Sequence, residues 1–153
     1  MQWLELRIPP PLVWLVFAGA MLGVAHAAPG LAFGLPGSPV IALTLAVAGV
    51  TMAFAGVLAL RGKRTTVDPF HPGAASTVVA SGVYRVTRNP IYLGLLLTLA
   101  GWAVYLSNAC AALLLPAFVA YMTRFQIEPE ERALLARFGA EFAQYTSHVR
   151  RWL

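Results

Sequence analysis

The sequence has 153 residues, of which 59% are hydrophobic and only 11% are charged. About a quarter of the residues in a soluble globular domain are charged, so this composition excludes an ordinary soluble fold and indicates a membrane protein. The single cysteine, Cys110, excludes an internal disulfide, and with three scattered histidines it gives no metal-ligand spacing. We therefore expect an integral-membrane protein with no metal site and no nucleic-acid partner.

The first half of the chain contains two uncharged segments, residues 11–28 and residues 40–60. Each is close to the about 20 residues that a helix needs to cross a bilayer, so we predict spans one and two there. A triplet at residues 25–27 resembles a signal-peptide cleavage site, but the apolar run is long, so we expect span one to be retained. Both spans carry small residues at three- or four-residue spacing, which predicts close helix packing. These residues are Gly19, Gly23 and Ala27 in span one, and Ala46, Gly49, Ala53 and Gly56 in span two.

A third uncharged run, residues 90–123, is too long for one span. As a single helix of 34 residues it would extend about 51 Å, whereas the hydrocarbon core is about 30 Å thick. The polar pair near its middle, Ser107-Asn108, predicts a tight turn. We therefore predict a helical hairpin with spans at residues 90–106 and 109–125.

Four spans place both ends of the sequence and the loop between spans two and three on one side of the membrane. All eleven basic residues then fall on that side: Arg7, Arg61, Lys63, Arg64, Arg85, Arg88, Arg124, Arg132, Arg137, Arg150 and Arg151. Basic residues cluster on the cytoplasmic side of membrane proteins, so we expect this face to be cytoplasmic and to carry the functional surface. The expected location is the inner or plasma membrane.

Two polar segments lie on this cytoplasmic face. The loop after span two is rich in Pro, Gly, Ser and Thr, and its length predicts a lid or pocket wall. After span four, Pro129 followed by two glutamates predicts the start of a C-terminal cytoplasmic or interfacial helix. Its apolar residues recur at helical spacing, so one face can lie against the bundle or the headgroup layer. Gly139 is expected to end or bend this helix.

The segment "RVTRNPIYLG" begins span three. Asn89 suits an N-cap and Pro90 a first helical position, so free backbone N–H groups should point toward the cytoplasm. Arg88 adds a forked cation suited to a carboxylate or phosphate, which predicts an anion pocket. The alternative is that the arginines contact lipid phosphates and that the Asn-Pro pair only caps a helix.

The hairpin should bring the pair Glu130-Glu131 back to the same membrane face, close to Arg88 and to the rings of Tyr84 and Tyr92. The alternative for the glutamates is a plain helix-start charge. A pocket with a cationic fork, carboxylates and aromatic rings suits a zwitterionic ligand with a positive centre, such as S-adenosylmethionine.

The two motifs "RNPIYLG" and "EERALLARFGAEFAQY" resemble the isoprenylcysteine carboxyl methyltransferase family and, more distantly, the phospholipid N-methyltransferases. The resemblance covers about residues 66–153 and implies an integral-membrane enzyme that binds S-adenosylmethionine in a cytoplasmic pocket. It implies these cofactor-binding residues: Gly82, Tyr84, Arg88, Asn89, Pro90, Tyr92, Gly94, Glu130 and Glu131, with Leu134 matching the second motif. The sequence departs from the isoprenylcysteine enzymes at Asn89, where His is usual, and at Phe142, where Tyr is common, which leaves the methyl acceptor open.

We therefore interpret residues 1–153 as one membrane methyltransferase domain that acts on a lipophilic or membrane-delivered acceptor. A carboxylate or thiol acceptor is favoured because in-line displacement then needs mainly alignment and desolvation. An amine acceptor would need a proton removed, for which His71 and Glu131 are the candidates. The alternative from another class is a non-catalytic membrane protein that retains the fold for binding or assembly. A transporter is disfavoured because no charged residue lies at mid-bilayer.

Overall fold

The protein is all-helical in the computed structural model, which describes residues 5–66, 68 and 70–153. No strand occurs among these residues; Ala32 and Asn108 form only an isolated bridge. The α-helices are α1 (Pro10–Ala27), α2 (Ser38–Gly62), α3 (Pro90–Leu106), α4 (Ala109–Ala112), α5 (Leu114–Met122), α6 (Glu128–Phe138) and α7 (Ala140–His148). Single 3-10 turns occupy Pro29–Leu31, Pro72–Ala74 and Gly82–Arg85.

The long helices coincide with the predicted spans. Within the described residues, α1, α2 and the helical stretch Ala109–Phe138 are long and apolar enough to cross a membrane. The apolar helix α3 has 17 residues, at the lower end of the range of about 17–25 for spanning helices. The predicted all-α, polytopic fold is confirmed.

The backbones of α2 and α3 meet along a seam of glycines. A Cβ atom on Gly94 would lie 2.5 Å from the carbonyl oxygen of Gly49 and 2.7 Å from the Cβ of Ala53. A Cβ atom on Gly101 would lie 2.7 Å from the carbonyl oxygen of Ala42. No side chain fits at such distances, so glycine is required for this close approach. The predicted packing role of the small residues in span two is confirmed.

Helix α1 packs through large side chains instead. A Cβ atom on Gly19 or Gly23 would meet nothing within 4 Å among the described residues, so the predicted packing role of these glycines is wrong. The side chain of Met21 is fully buried, and the indole nitrogen of Trp102 donates a 3.0 Å hydrogen bond to the carbonyl of Ala18. The small residues of span one thus remain outside the intramolecular core.

The turn between α3 and α4 lies at the predicted Ser107-Asn108 pair. Ser107 adopts the left-handed conformation, with φ of 45°, and ends α3. The Asn108 side chain accepts a 3.1 Å bond from the backbone N–H of Ala111 and donates a 2.9 Å bond to the carbonyl of Ala28. Its amide therefore both caps α4 and ties the hairpin to the end of α1.

The helix that leaves span four does not start afresh at Pro129, as the sequence predicts, but continues from α5 through a π-helical segment, Thr123–Ile127. There the N–H of Glu128 donates to the carbonyl of Thr123, one residue farther than in an α-helix. Pro129 has no N–H to offer the carbonyl of Phe125, and the backbone N–H of Leu6 occupies that acceptor at 3.0 Å. The predicted helix start is therefore wrong, because the bulge and the N-terminal segment accommodate the proline.

Gly139 ends α6, as predicted. Its φ of 52° and ψ of −120° are conformations that residues with side chains rarely adopt, so the chain bends here before α7. After α7 the backbone becomes extended, and residues 149–153, the final segment, return toward the beginning of α3. This return brings a stretch outside both sequence motifs next to the predicted site.

Candidate functional site

A cavity opens at the end of the bundle where α2 ends and α3 begins. Its volume is about 150 Å³, and it opens to solvent at its mouth. The walls come from the end of α2, the loop before α3, the first turn of α3, and helices α6 and α7. The predicted role of the loop after span two as a pocket wall is confirmed.

Most of the predicted site residues meet at this cavity. Seven of them line it: Tyr84, Arg88, Asn89, Pro90, Tyr92, Glu130 and Glu131. Gly94 does not line it, because it faces α2 in the glycine seam. Gly82 is exposed and does not line it either; its φ of 59° begins the 3-10 turn that carries Tyr84 into the wall. Gly94 therefore acts in helix packing and Gly82 in the turn before Tyr84, and neither contacts the cavity.

Arg88 lines the cavity beside Glu131. Its Nη1 atom is 3.3 Å from Oε1 of Glu131, and its side chain is only 16% exposed. Its Nε atom is buried and has no hydrogen-bond partner among the described residues. A buried hydrogen-bond donor without a partner is costly, so the guanidinium is well suited to donate to an anionic ligand.

Asn89 occupies the N-cap position of α3 without capping it. Its side-chain amide donates a 2.9 Å hydrogen bond to the carbonyl of Arg151, and no side chain in the described part of the protein caps this helix. The predicted capping role of Asn89 is therefore wrong, because the final segment takes up its side chain. The first-turn N–H groups of α3 consequently lack a side-chain partner, which leaves a helix N-terminus that can attract an anion.

Glu131 lies between two arginines. Arg151 donates from Nη2 to Oε2 at 2.7 Å and from Nε to Oε1 at 3.3 Å, while Arg88 approaches Oε1. Both carboxylate oxygens are thus engaged within the protein. The sequence predicts Glu131 as a cofactor ligand, and the structure adds that its charge is already balanced.

Glu130 has a different environment. It accepts a short hydrogen bond from the hydroxyl of Tyr92, and no basic side chain in the described ranges forms an ion pair with it. It lies in the charged part of the helix, beyond residues 109–125, the predicted span four. Burial raises the pKa of Glu130 above its ordinary value; the Tyr92 bond opposes this shift and the charge of Glu131 adds to it. A buried carboxyl without a cation partner is stabilised either by taking up a proton or by pairing with a cationic ligand.

Aromatic side chains form part of the cavity wall. The hydroxyl of Tyr145 donates a 2.8 Å bond to the backbone carbonyl of Tyr84, and both residues line the cavity together with Phe142. Burial raises the pKa of Tyr84 well above its ordinary value and that of Tyr145 to about 12, so both are neutral phenols at physiological pH. Neutral rings beside a carboxyl suit a cationic group.

Part of the apolar stripe of the C-terminal helices lines the cavity. Leu134, Phe142 and Tyr145, which the sequence places on a face toward the bundle or headgroups, line the cavity. The spacing of apolar residues in the sequence predicts the stripe, but it does not predict that the stripe faces the cavity.

Asp68 also lines the cavity and was not predicted. Its Oδ2 is 2.7 Å from Nδ1 of His71, and this bond lowers the pKa of Asp68. His71 itself is 76% exposed and is not part of the lining.

The arrangement fits a zwitterionic ligand with a positive centre. The lining includes the guanidinium of Arg88, with its unpartnered Nε, beside an uncapped helix terminus. It also includes neutral aromatic rings and the carboxyl of Glu130, which has no cation partner among the described residues. A carboxylate and a sulfonium on one molecule would match these groups, so the residues fit S-adenosylmethionine.

Comparisons with known proteins agree with this picture. Residues 38–141, more than half of the chain, match the phospholipid methyltransferase family. An uncharacterized protein of Haemophilus influenzae is 43% identical over 63 residues, which are 41% of this chain and the whole of that protein. No solved structure gives a significant match.

Proposed function

Because the chain belongs to the phospholipid methyltransferase family, a family of membrane methyltransferases, we propose that it transfers a methyl group from S-adenosylmethionine to a lipophilic or membrane-delivered acceptor. The observation that carries this proposal is the meeting of Arg88, Tyr92 and Glu130 at one cavity beside the membrane-spanning helices. These residues come from two motifs about forty positions apart in the sequence.

In this proposal different residues of the cavity would hold different parts of the cofactor. Arg88 and the uncapped first turn of α3 would hold the methionine carboxylate. The aromatic rings and Glu130 would hold the positive centre, and the Glu130 carboxylate would then gain the cation that it lacks within the described protein. When bound, the cofactor supplies an electrophilic methyl group on a sulfonium. The protein aligns the acceptor with that methyl group and excludes water from the cavity.

The surroundings of the candidate bases favour an acceptor that reacts without losing a proton to the protein. His71 is exposed beside the cavity, and both oxygens of Glu131 are held by arginines. Neither is well placed to remove a proton from an amine in the cavity. A carboxylate or thiolate acceptor needs no such base, so this acceptor class is our proposal, with an amine as the second candidate. The isoprenylcysteine carboxyl methyltransferase subtype stays a prediction.

The one-sided placement of the basic residues supports a cytoplasmic site in the inner or plasma membrane. The cavity lies among residues of that basic side, including Arg88 and the end of α2. There it would be open to a water-soluble cofactor, while the adjoining spans would give access to a membrane-borne acceptor.

Two measurements test the proposed function. Calorimetry with protein purified in detergent should detect binding of S-adenosylmethionine, and Arg88→Ala should lose it. Incubation with methyl-labelled S-adenosylmethionine and a membrane lipid extract should then transfer label to a lipid-soluble product. Absence of binding by the wild type would overturn the proposal. Binding without transfer to any membrane component would favour the non-catalytic alternative.

A further inference from the structure

The final segment is bonded to the residues that begin α3. The backbone N–H of Arg88 donates to the carbonyl of Arg150 at 3.0 Å. The carbonyl of Arg151 accepts bonds from the hydroxyl of Thr87 at 3.2 Å and from the amide of Asn89 at 2.9 Å. The indole nitrogen of Trp152 donates to the hydroxyl of Thr123 at 3.1 Å. The final segment therefore joins residues 87–89, just before α3, to the helix that carries the glutamates.

The Arg151 side chain makes the strongest of these connections. It binds Glu131 through two parallel hydrogen bonds, the paired geometry that an arginine forms with a carboxylate. Its Nη1 atom also lies 3.8 Å from Oε1 of Glu128. Arg88 and Glu131 line the cavity, whereas Arg151 does not. Any effect of Arg151 on a ligand would thus pass through another residue.

Glu131 is the ionic partner of the Arg88 side chain. The ion pair with Glu131 is the one ionic contact of its side chain in the described part of the protein, and its Nε has no partner there. An arginine side chain has many rotamers, and each one that must be fixed on binding costs affinity. If Glu131 moved, Arg88 would lose its one fixed charged neighbour and its orientation in the cavity.

We infer that Arg151 is a positioning residue for the cavity: it fixes the carboxylate of Glu131, which in turn holds the guanidinium of Arg88 toward an anionic ligand group. This inference rests on the proposed function, because it names S-adenosylmethionine as the ligand whose affinity Arg151 controls. It also assigns Glu131 a role in holding the anion-binding arginine, instead of direct contact with the cofactor's positive centre.

The test compares S-adenosylmethionine affinity and thermal stability in full-length wild type, Arg151→Gln and Arg151→Lys. The Gln variant should bind about tenfold more weakly, roughly the effect of one hydrogen bond to a charged group, and Lys should be intermediate because it keeps the charge without the paired geometry. Arg150→Gln is the matched control. The Arg150 side chain is exposed, and its carbonyl, which Arg88 contacts, is retained in the variant. It should bind as the wild type does.

A double-mutant cycle with Arg88→Lys separates positioning from a general structural effect. If Arg151 acts through Arg88, Arg151→Gln should weaken binding much less in the Arg88→Lys background than in the wild type. An equal loss in both backgrounds would overturn the inference, as would wild-type affinity in Arg151→Gln and Arg151→Lys. If the Gln variant does not fold, the Lys variant decides by the same cycle. Failure of the wild type itself to bind would instead overturn the proposed function, and this inference with it.

Discussion

The hydroxyl of Tyr92 donates a hydrogen bond to the carboxyl of Glu130, which joins the first turn of α3 to the helix that follows span four. The two residues are 38 positions apart in the sequence. Glu131, the next residue, forms no bond with Tyr92 in the described structure and is held by arginines. Two adjacent carboxyls therefore have different partners, and this difference leads to distinct expectations for their variants.

The raised pKa of Glu130 predicts a pH-dependent stability. Below the ordinary carboxyl pKa of 4.5 the group is protonated in both the folded and the unfolded protein. As the pH rises from there toward the raised folded-state pKa, ionisation favours unfolding, so the wild type should lose stability. Glu130→Gln lacks this titration, so it should gain in melting temperature relative to the wild type between mildly acidic and alkaline pH.

Thermal unfolding in one detergent across this pH range would measure the effect, expected to be about 1 kcal/mol or more. Glu141→Gln is the control, because Glu141 is an exposed carboxylate outside the cavity. A constant difference between Glu130→Gln and the wild type at all pH values would contradict the shift.

Arg88→Lys should separate a ligand-binding arginine from a lipid anchor. Lysine keeps the charge and can still reach lipid phosphates, but it loses the planar fork. We expect S-adenosylmethionine affinity to fall by roughly 1.5–3 kcal/mol, which is about 10- to 150-fold, with little change in melting temperature. Calorimetry on wild type, Arg88→Lys and Arg88→Ala would measure this. A Lys variant with wild-type affinity would show that Arg88 does not bind the cofactor carboxylate.

Gly94→Ala should destabilise the bundle without acting on the cavity. The new methyl carbon would lie 2.5 Å from the carbonyl oxygen of Gly49, so α2 and α3 would have to separate. The expected loss is about 1–3 kcal/mol in thermal stability, the usual cost of overpacking. Cofactor affinity per folded molecule should remain, because Gly94 does not line the cavity.

The matched control is Gly19→Ala, where a Cβ atom meets nothing within 4 Å in the described structure. Alanine favours a helix over glycine by about 1 kcal/mol, so this variant should be as stable as the wild type or more so. Equal effects of the two substitutions would argue against the glycine seam.

The orientation of the protein can be tested with single cysteines in a Cys110→Ala background. Ala74 and Gly34 are both exposed and lie on opposite sides of the predicted topology. A membrane-impermeant thiol reagent applied to intact cells should label Gly34→Cys and leave Ala74→Cys unlabelled until the membrane is opened. Labelling of Ala74→Cys in intact cells would reverse the proposed cytoplasmic position of the cavity.

Sequence periodicity and charge predicted the spans, the turn at Ser107-Asn108 and the meeting of Arg88 with the glutamates. These features depend on apolar length and on local turn chemistry, which a sequence records directly. The roles of Gly94 and Asn89 were not predictable, because they depend on which neighbour lies opposite: α2 for the glycine and the final segment for the asparagine. The sequence predicted only that Arg151 lies on the basic face of the membrane, since no local pattern shows that the chain returns to Glu131.

The π-helical segment Thr123–Ile127 sets the direction in which the two carboxyls of the cavity, Glu130 and Glu131, project from the helix. Each residue of an α-helix turns the chain by about 100°, and a π-bulge adds one residue without adding a full α-helical step along the axis. Every side chain after the bulge is therefore rotated by about one residue relative to the membrane-embedded face of the helix. Without that rotation, Pro129 would occupy the angular position that Glu130 has opposite Tyr92, and Glu130 would take the place of Glu131 beside Arg151. The single extra residue of the π-helical segment therefore determines that Glu130 meets Tyr92 and that Glu131 meets Arg151.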